Sequence, residues 1–421
     1  MEKFIITQSP PLKGTVRVSG SKNAALPILA ATLLTEAQCV IKDVPELLDV
    51  QRMEEYLQTF GADTQWQREK NKITVGVKKI ASTEAPYPLA CSMRASFLVM
   101  GPLLARAARV KIPLPGGCAI GARPVDQHLK GLAALGAEIT QEHGMVYAKA
   151  KRLRGANIYL DFPSVGATEN IMMAAVLARG RTIIENSAIE PEIVDLAGFL
   201  NAIGADVRGA GTDTIRINGV RGLRGGEYTI IPDRIEAGTF MVAAALTRGD
   251  VLIENIVADH LKPVAAKLKE ANAAVEEAET GLQVRYVLRG RLKRADIKTL
   301  PYPGFPTDMQ AQFMSLLALA EGTSIITETI FENRFMHVGE LKRMGANIKI
   351  ESRSAIVEGV EKLAGTQVRT TDLRAGAALI LSGLIAEGET EIDDIYHIDR
   401  GYCKIEEKLR GLGAKIKRVS S

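Results

Sequence analysis

The chain has 421 residues, more than one ordinary hydrophobic core holds, so we expect two domains. Hydrophobic residues make up 46% and charged residues 24%, a composition typical of a folded globular protein rather than a disordered or membrane-spanning one. The net charge is only +4, so charge gives no reason to expect a nucleic-acid-binding protein.

The cysteines are few and widely separated, at Cys39, Cys91, Cys118 and Cys403. This spacing fits neither a disulfide framework nor a zinc site, so we expect free thiols and no metal. Free thiols indicate a reducing compartment, and the N-terminal residues lack the apolar core of a signal peptide. The longest apolar runs, such as residues 375–386, are too short to span a bilayer. We therefore expect a cytoplasmic protein with no membrane, nucleic-acid or obligate protein partner.

A short motif recurs six times along the chain, a leucine followed four residues later by Gly-Ala or Asn-Ala. Its glycine and asparagine positions, 68 to 75 residues apart, are Gly61, Gly136, Gly204, Asn272, Gly345 and Gly413. Glycine and asparagine suit the left-handed position just after a helix. Each motif therefore predicts the end of a helix, followed by a short strand.

A second helix is predicted earlier in each repeat. The predicted starts lie near Lys22, Met93, Gly166, Arg234, Asp308 and Leu373. These segments are rich in Ala, Leu and Met and carry little charge, which indicates helices buried on nearly all sides. β-branched runs such as residues 182–186 and 324–328 predict a strand between the two helices of a repeat. Alternating helices and strands favour an α/β architecture.

Six repeats over two domains give three repeats per domain. We expect domain I to span residues 22–230, with domain II combining residues 1–21 and 231–421. The chain would then cross between the domains twice, near residues 19–21 and 225–232. Two crossings predict a double-stranded hinge, as in enzymes that close around a substrate.

Residues 115–126, PGGCAIGARPVD, place a cysteine, an arginine and an aspartate in one glycine-rich segment. Gly116, Gly117 and Gly121 permit backbone conformations closed to other residues, so the segment can bend sharply or move. One interpretation is a mobile lid that carries the reactive thiol of Cys118 over an anionic substrate. The alternative is a surface turn that happens to contain a cysteine.

The predicted buried helices begin with polar residues that packing does not require. Lys22 and Asn23 open the first helix and Arg94 opens the second, where free N–H groups favour an anion. The alternative for these cations is an exposed side chain at a fraying helix end. Asp308 and Asp372 open the fifth and sixth helices as caps, unless Asp308 is a base for a substrate hydroxyl.

Further arginines occupy equivalent corners of the repeated units, although each by itself fits a structural role. We expect the fold to bring together Lys22, Arg123, Arg334, Arg374 and Arg400. Five converging cations repel one another unless a multiply charged anion fills the site. The pattern therefore predicts a polyanionic substrate.

Seven blocks of sequence carry a resemblance that spans nearly the whole chain. They are SGSKNAALP at 19–27, MRAS at 93–96, GGCAIGARPVD at 116–126, FPTDMQAQ at 305–312, FENRFMH at 331–337, TDLR at 371–374 and HIDRG at 397–401. With these blocks the chain resembles the UDP-N-acetylglucosamine 1-carboxyvinyltransferases, a family of enolpyruvyl transferases. The cysteine block separates this family from the related shikimate-3-phosphate enolpyruvyl transferases.

The resemblance implies an α/β fold, a two-domain inside-out α/β barrel with three repeated units per domain. It implies transfer of enolpyruvyl from phosphoenolpyruvate to the 3-hydroxyl of UDP-N-acetylglucosamine with release of phosphate, the first committed step of peptidoglycan synthesis. It implies no cofactor, and it implies that fosfomycin is a covalent inhibitor at Cys118.

The resemblance also implies the site residues. The catalytic residues would be Cys118, Asp308, Lys22 and Arg400. Phosphoenolpyruvate would be bound by Lys22, Asn23, Arg123, Arg334, Arg374 and Arg400. UDP-N-acetylglucosamine would be bound by Arg94, Arg123, Pro124, Val125, Asp126, Gln127, Ser164, Val165, Gly166, Asp308 and Ile330. Asp372 and Glu190 are expected to orient neighbouring arginines.

Two places depart from the family pattern. Leu48 stands where some members carry a lysine, which removes one cation, and Phe162-Pro163 stands where others have Lys-Val. Side-chain contacts to the uridyl group from this second segment are thereby in question, whereas backbone contacts are not.

Two other functions fit parts of the pattern. One is enolpyruvyl transfer to shikimate 3-phosphate, against which the Cys118 segment argues. The other is a non-catalytic repeat protein that senses a nucleotide sugar, against which the intact Lys22, Cys118, Asp308 and Arg400 argue.

Overall fold

The structure is a computed structural model that describes residues 2–115, 120–121, 123–286 and 290–420. The described residues form two compact units. Unit 1 is drawn from residues 1–19, 118–122 and 232–421, and unit 2 from residues 20–117 and 123–231. The expected domains, residues 22–230 and residues 1–21 with 231–421, stay predictions.

The described helices and strands alternate along the whole chain. The α-helices are α1 (Lys22–Ala31), α2 (Leu48–Thr59), α3 (Tyr87–Ser92), α4 (Met100–Ala107), α5 (Asp126–Ala134), α6 (Val165–Ala175), α7 (Pro191–Ala202), α8 (Arg234–Leu246), α9 (Lys262–Glu270), α10 (Gln310–Leu317), α11 (Val338–Arg343), α12 (Leu373–Ile385), α13 (Tyr396–Asp399) and α14 (Ile405–Gly411). The strands are β1 (Glu2–Thr7), β2 (Lys13–Arg17), β3 (Cys39–Lys42), β4 (Asp63–Gln67), β5 (Lys72–Gly76), β6 (Arg109–Pro113), β7 (Glu138–Glu142), β8 (Met145–Lys149), β9 (Asn157–Tyr159), β10 (Arg181–Glu185), β11 (Asp206–Arg208), β12 (Thr214–Asn218), β13 (Gly226–Thr229), β14 (Asp250–Glu254), β15 (Ala273–Ala278), β16 (Gly281–Tyr286), β17 (Ile297–Lys298), β18 (Thr323–Thr327), β19 (Asn347–Glu351), β20 (Ser354–Glu358), β21 (Gln367–Arg369), β22 (Glu389–Asp393) and β23 (Ile416–Ser420). In the part of the chain that the structure describes, no helix is long and apolar enough to cross a membrane.

Each unit contains three small sheets, all of them mixed except the antiparallel sheet of β6, β7 and β8. The strand orders in unit 1 are β21-β22-β1-β23, β15-β16-β14-β2 and β17-β18-β20-β19. Those in unit 2 are β13-β3-β5-β4, β6-β8-β7 and β11-β12-β10-β9. Five sheets share one plan, in which a short edge strand pairs in parallel with the strand that follows the buried helix. In the sheet of β6 a single parallel bridge from Glu84 to Lys111 takes this place.

The predicted apolar helices form the centre of each unit. In unit 1, α8, α10 and α12 pack against one another, and in unit 2, α4 packs against α6. All residues of α8 after Arg234 are buried, which explains why these helices lack a polar face. Their few buried hydroxyls are paired, since Ser315 Oγ donates to the Ala378 carbonyl oxygen at 3.0 Å and accepts from Ser382 Oγ at 3.0 Å.

The six repeat anchors occupy the predicted left-handed positions. The φ angles are 94° at Gly61, 94° at Gly136, 106° at Gly204, 71° at Asn272, 97° at Gly345 and 98° at Gly413. Each anchor follows an amphipathic helix and precedes a strand, so the repeat predicted from the sequence is confirmed.

The starts of the buried helices agree closely with the prediction, with one systematic difference. The second and fifth helices begin as 3₁₀ turns, Arg94–Val99 and Thr307–Met309, before α4 and α10 continue them. Tighter 3₁₀ turns are common at helix termini, and apolar periodicity does not distinguish them from the first α-helical turn.

We expect Gly345→Ala to lower the free energy of unfolding by about 1–2 kcal/mol, because a Cβ is strained at positive φ. A Cβ at Gly345 would have nothing within 4 Å, so this cost comes from the backbone alone. Gly339, exposed in α11 just before Gly345 and with the same open surroundings, is the matched control. Its replacement by Ala should instead stabilise by about 0.5–1 kcal/mol. Urea unfolding measures both variants, and equal effects at the two positions would contradict this account.

Candidate active site

Asp308 in unit 1 lies against two buried arginines. Arg334 Nη2 donates to Asp308 Oδ1 at 2.8 Å, and Arg374 Nε and Nη2 donate to Asp308 Oδ2 at 3.1 and 3.0 Å. The arginine side chains are 4% and 3% exposed, whereas the Asp308 side chain is 27% exposed. Two desolvated guanidinium groups thus bind one carboxylate, and part of that carboxylate still reaches solvent. Such a pair of buried cations at a solvent-accessible point suits the binding of an anionic reactant better than a packing role.

Aromatic rings support both guanidinium groups. The Arg374 Cζ atom lies 5.3 Å from the centre of the Tyr402 ring, and the Arg334 Cζ atom lies 5.5 Å from that of the Phe331 ring. Burial alone would lower the pKa of Arg374, but its electrostatic interactions with Tyr402 and Asp308 raise it, and the net direction is upward. The Arg374 guanidinium therefore stays charged.

A buried polar network lies beneath Asp308. Gln312 Nε2 donates to the Asp308 carbonyl oxygen at 2.9 Å and to the Tyr402 hydroxyl at 3.2 Å. Thr239 Oγ1 lies 3.0 Å from the same hydroxyl. These bonds join α8, α10 and the Tyr402 region, and they fix the backbone that carries Asp308.

The two acidic residues at helix starts have different environments. Asp372 caps α12, because its Oδ1 accepts from the backbone N–H groups of Arg374 at 2.8 Å and Ala375 at 3.1 Å. The carboxylate of Asp308 instead contacts the two arginine side chains. Asp372 therefore acts on Arg374 through the backbone and not through the guanidinium.

Arg400 is half-buried at the end of α13. Burial lowers the pKa of the nearby His397, and the positive charge of Arg400 lowers it further. The charge of Arg400 therefore disfavours a second positive charge on His397.

Glu328, which follows β18, is a site residue that the sequence analysis did not predict. It is 1% exposed, and its carboxylate accepts hydrogen bonds from the segments of both Thr307 and Ile330. The only available hint was an acidic residue directly after an apolar strand, flanked by threonines.

Two described residues of the cysteine segment, Ile120 and Gly121, belong to unit 1 and lie beside Glu332 and Asn333. The Ile120 carbonyl oxygen accepts from the Asn333 N–H at 3.0 Å. Gly121 has a φ of 139°, which other residues rarely adopt, and a Cβ there would lie 3.2 Å from the Glu332 backbone nitrogen, so the backbone favours glycine at this position. Gly116, Gly117 and Cys118 lie outside the described residues.

Lys22 in unit 2 is buried at the first position of α1. Its Nζ lies 3.2 Å from Asp49 Oδ2, and Arg52 Nη1 lies 3.9 Å from the other oxygen of the same carboxylate. The neighbouring Asn23 is half-buried, and Leu48 begins α2 beside Asp49. Lys22 is therefore an internally placed cation rather than an exposed lysine at a fraying end.

Arg94 and Arg123 are linked directly, since Arg94 Nη2 donates to the Arg123 carbonyl oxygen. The adjoining His128 is buried, and this burial, followed by the charge of Arg94, lowers its pKa from 6.5 to about 3. Asn170 Nδ2 lies 3.1 Å from His128 Nδ1. His128 is thus a neutral packing residue that holds α5 against α6 beside Arg94.

The predicted nucleotide-sugar residues of unit 2 form two adjoining segments. Pro124 and Val125 lead into α5, whose first residues are Asp126 and Gln127. The Gln127 amide is tied to Asp161, donating to its Oδ2 at 2.8 Å and accepting from its N–H at 3.0 Å. Gln127 therefore joins the start of α5 to the strand end that precedes α6.

The second of these segments is the start of α6. Ser164 caps the helix, with Oγ accepting from the Ala167 N–H at 3.4 Å, and Val165 is the first helical residue. A Cβ at Gly166 would lie 3.1 Å from the His128 ring, so a glycine here lets α5 approach α6. Phe162, one of the departures from the family pattern, is 46% exposed.

Glu190 lies directly before α7 among other acidic residues. Burial raises the pKa of Glu169 well above its ordinary value, and the charges of Glu192 and Glu190 raise it further. The predicted role of Glu190 in orienting an arginine stays a prediction. Within residues 2–115, 120–121, 123–286 and 290–420, no group of three or more His, Cys, Asp or Glu residues could hold a metal ion.

Comparison with known proteins shows the family to which the chain belongs. The family model described as EPSP synthase (3-phosphoshikimate 1-carboxyvinyltransferase) matches residues 6–409. UDP-N-acetylglucosamine 1-carboxyvinyltransferase 1 of Caldanaerobacter subterraneus subsp. tengcongensis is 64% identical, with 99% of each chain covered. UDP-N-acetylglucosamine 1-carboxyvinyltransferase 2 of Carboxydothermus hydrogenoformans is 61% identical over the whole of both chains. The chain belongs to the UDP-N-acetylglucosamine 1-carboxyvinyltransferase family.

Solved structures agree with this family at the level of the fold. The enolpyruvyl transferase NikO from Streptomyces tendae superposes with a TM-score of 0.89 at 24% identity, covering 100% of this chain and 99% of the other. EPSP synthase from Acinetobacter baumannii superposes with a TM-score of 0.77 at 22% identity, with both chains fully covered. As a member of the carboxyvinyltransferase family, the chain is a transferase, and the predicted two-domain enolpyruvyl transferase fold is confirmed.

Proposed function

We propose that the chain transfers the enolpyruvyl group of phosphoenolpyruvate to the 3-hydroxyl of UDP-N-acetylglucosamine and releases phosphate, the first committed step of peptidoglycan synthesis. The full-length relatives that bear the name of this activity support the reaction. The observation that carries it is the partly exposed Asp308 carboxylate between two buried guanidinium groups. A cytoplasmic location, expected from the free thiols, is part of the proposal.

The reaction is an addition followed by an elimination. The 3-hydroxyl oxygen bonds to C2 of phosphoenolpyruvate, the hydroxyl proton leaves, and C3 gains a proton to give a tetrahedral ketal. The C2–O bond to phosphate then breaks, C3 loses a proton, and the enol ether product and inorganic phosphate result. The chemistry requires a base for the hydroxyl, an acid for C3 and cations for the phosphate.

Asp308 is the proposed base. Its carboxylate is held by Arg334 and Arg374 yet remains partly exposed, so an acceptor hydroxyl can approach. The same two guanidinium groups are the proposed ligands for the carboxylate of phosphoenolpyruvate, because desolvated, charged donors bind a carboxylate strongly. Fixed cations also stabilise developing negative charge with little reorganisation.

Lys22, Arg123 and Arg400 are the proposed phosphate ligands, with Asn23 beside Lys22. Lys22 is buried at the first residue of α1, where free N–H groups and the helix dipole add to its charge. Its ion pair with Asp49 keeps the ammonium group in place before an anion arrives.

The starts of α5 and α6 are the proposed nucleotide-sugar site of unit 2. Two contacts join these segments, residues 123–127 and 164–166. Gln127 bonds Asp161, and Gly166 lies against His128. Helix N-termini supply N–H donors for a diphosphate or a uracil carbonyl. Arg94, Asp308 and Ile330 are the remaining residues proposed to contact the nucleotide sugar.

Cys118 is the proposed proton donor to C3, as its family counterpart is. An arginine five residues away, Arg123, would favour the thiolate form, so that the group both gives up and takes back a proton. A nucleophilic thiol would also open the epoxide of fosfomycin, which makes this compound the proposed covalent inhibitor.

Phosphate release from phosphoenolpyruvate, with and without UDP-N-acetylglucosamine, tests the proposed function. We expect release only with the nucleotide sugar, since its 3-hydroxyl is the nucleophile. Shikimate 3-phosphate serves as the control acceptor and should give none. Release with shikimate 3-phosphate alone would favour the related transferase, and binding of UDP-N-acetylglucosamine without any phosphate release would favour a sensor.

A further inference from the structure

Glu328 is a buried carboxylate whose four hydrogen bonds join three separate segments of unit 1. Its Oε2 accepts from Thr307 Oγ1 at 2.9 Å. Its Oε1 accepts from Thr299 Oγ1 at 2.9 Å and from the backbone N–H groups of Ile330 at 2.8 Å and Phe331 at 3.2 Å. All four partners are neutral donors, so an acceptor-only group at this place satisfies every one of them.

The segments that Glu328 joins carry both members of the Asp308–Arg334 pair. Thr307 immediately precedes Asp308 in its 3₁₀ turn, and Phe331 lies three residues before Arg334 with its ring 5.5 Å from the Arg334 Cζ atom. The pair itself closes at 2.8 Å. Glu328 therefore completes a ring of contacts that runs through Thr307, Asp308, Arg334 and Phe331 and back to its own carboxylate.

A second hydrogen bond holds Thr299 beside Glu328. Thr299 Oγ1, which donates to Glu328, also accepts from the Thr329 N–H at 2.9 Å. Glu328 is thus held from the β17 side and is 1% exposed, so its carboxylate has a fixed position from which to orient Thr307. No described contact joins Glu328 to Asp308, Arg334 or Arg374 directly, so any effect on them passes through the backbone and Thr307.

We propose that Glu328 is a positioning residue for the transfer reaction, setting through Thr307 the place of the Asp308 carboxylate and through its other oxygen the backbone of Ile330. This rests on the proposed function, in which Asp308 takes the acceptor proton and Ile330 contacts the nucleotide sugar. A base must lie within hydrogen-bond reach of the hydroxyl, and small displacements of such groups are costly to the rate. Glu328 couples the base to the segment that binds the acceptor.

The sharpest test removes one of the four bonds. Thr307→Val deletes the hydroxyl that donates to Glu328 and keeps the shape of the side chain, whereas Glu328→Ala removes the acceptor of all four donors and risks unfolding. The matched control is Thr327→Val. Thr327 is also half-buried, lies beside Glu328, and its hydroxyl bonds Ser354 Oγ at 3.1 Å on the neighbouring strand.

We expect Thr307→Val to lower kcat about 10- to 100-fold, as expected when a catalytic group is displaced by a fraction of an ångström to 1 Å. The KM for phosphoenolpyruvate should stay within about twofold, since transition-state contacts and not ground-state binding are lost. Thr327→Val should keep wild-type kcat, with a thermal midpoint equal to that of Thr307→Val. Equal kcat in the two variants, or a change confined to KM, would overturn the proposal.

A double-mutant cycle with Asp308→Asn separates positioning from a general loss of structure. If Glu328 and Thr307 act through Asp308, then Thr307→Val should change the residual turnover of the Asp308→Asn enzyme by less than about twofold. An undiminished effect in that background would refute the coupling. A wild-type enzyme that releases no phosphate with UDP-N-acetylglucosamine would instead refute the proposed function, and the positioning role with it.

Discussion

Asp308→Asn should lower turnover by about 10²- to 10⁴-fold, the usual contribution of a positioned base. Asparagine keeps the size of the side chain and one oxygen acceptor for Arg334 or Arg374, but it cannot take a proton from the acceptor hydroxyl. Binding of UDP-N-acetylglucosamine should persist, because the start of α6 and the α5 segment are unchanged. Phosphate release and titration calorimetry measure the two quantities separately.

The matched control for this variant is Asp250→Asn in the same unit. Asp250 also accepts from an arginine, Arg285 Nε at 3.1 Å, but both side chains are about half exposed, at 49% and 54%. Loss of such a surface pair should leave turnover unchanged and alter stability by at most about 1 kcal/mol. Wild-type turnover in Asp308→Asn would show that the carboxylate serves only to neutralise its two arginines.

Cys118→Ser should lower turnover by about 10²-fold or more, because a serine hydroxyl is a far weaker acid than a thiol. Cys118→Asp should retain turnover, since a carboxyl group also exchanges protons, and it should resist fosfomycin, since a carboxylate opens an epoxide far less readily than a thiolate. Turnover after timed exposure to fosfomycin, with mass spectrometry of the protein, measures both effects.

Cys91→Ser is the control for the cysteine variants. Cys91 is a half-buried thiol in α3 that has no part in the proposed reaction. Its replacement should change neither turnover nor inactivation by fosfomycin. Full sensitivity of Cys118→Asp, or an adduct that maps to Cys91, would remove the proposed role of the Cys118 thiol.

The repeat made much of the fold predictable. Local rules suffice for the helix ends, because a glycine at positive φ, such as Gly345, can be recognised from the residues beside it. The apolar runs likewise located the central helices to within a few residues. The order of strands in the sheets could not be predicted, since β1 pairs with strands about 400 positions away and no local pattern encodes such a partner.

Part of the candidate site could likewise be predicted from the sequence, and part could not. Motifs pointed to Asp308, Arg334 and Arg374, and the structure brings these three together. Composition could not tell that Asp372 caps a helix whereas Asp308 does not, because both are acidic residues at helix starts. The sequence does not predict the place of Glu328, because four long-range or turn contacts define it and no motif does.

The position of β1 has a consequence for synthesis on the ribosome. β1 lies between β22 and β23, with Phe4 opposite Ile392 and Arg418. The nascent chain therefore exposes the apolar strand β1 long before its neighbours β22 and β23 are made, whereas all strands of unit 2 have emerged by Thr229. The order of emergence favours early folding of unit 2, and it leaves the first strand of unit 1 open to chaperones or to aggregation in the meantime.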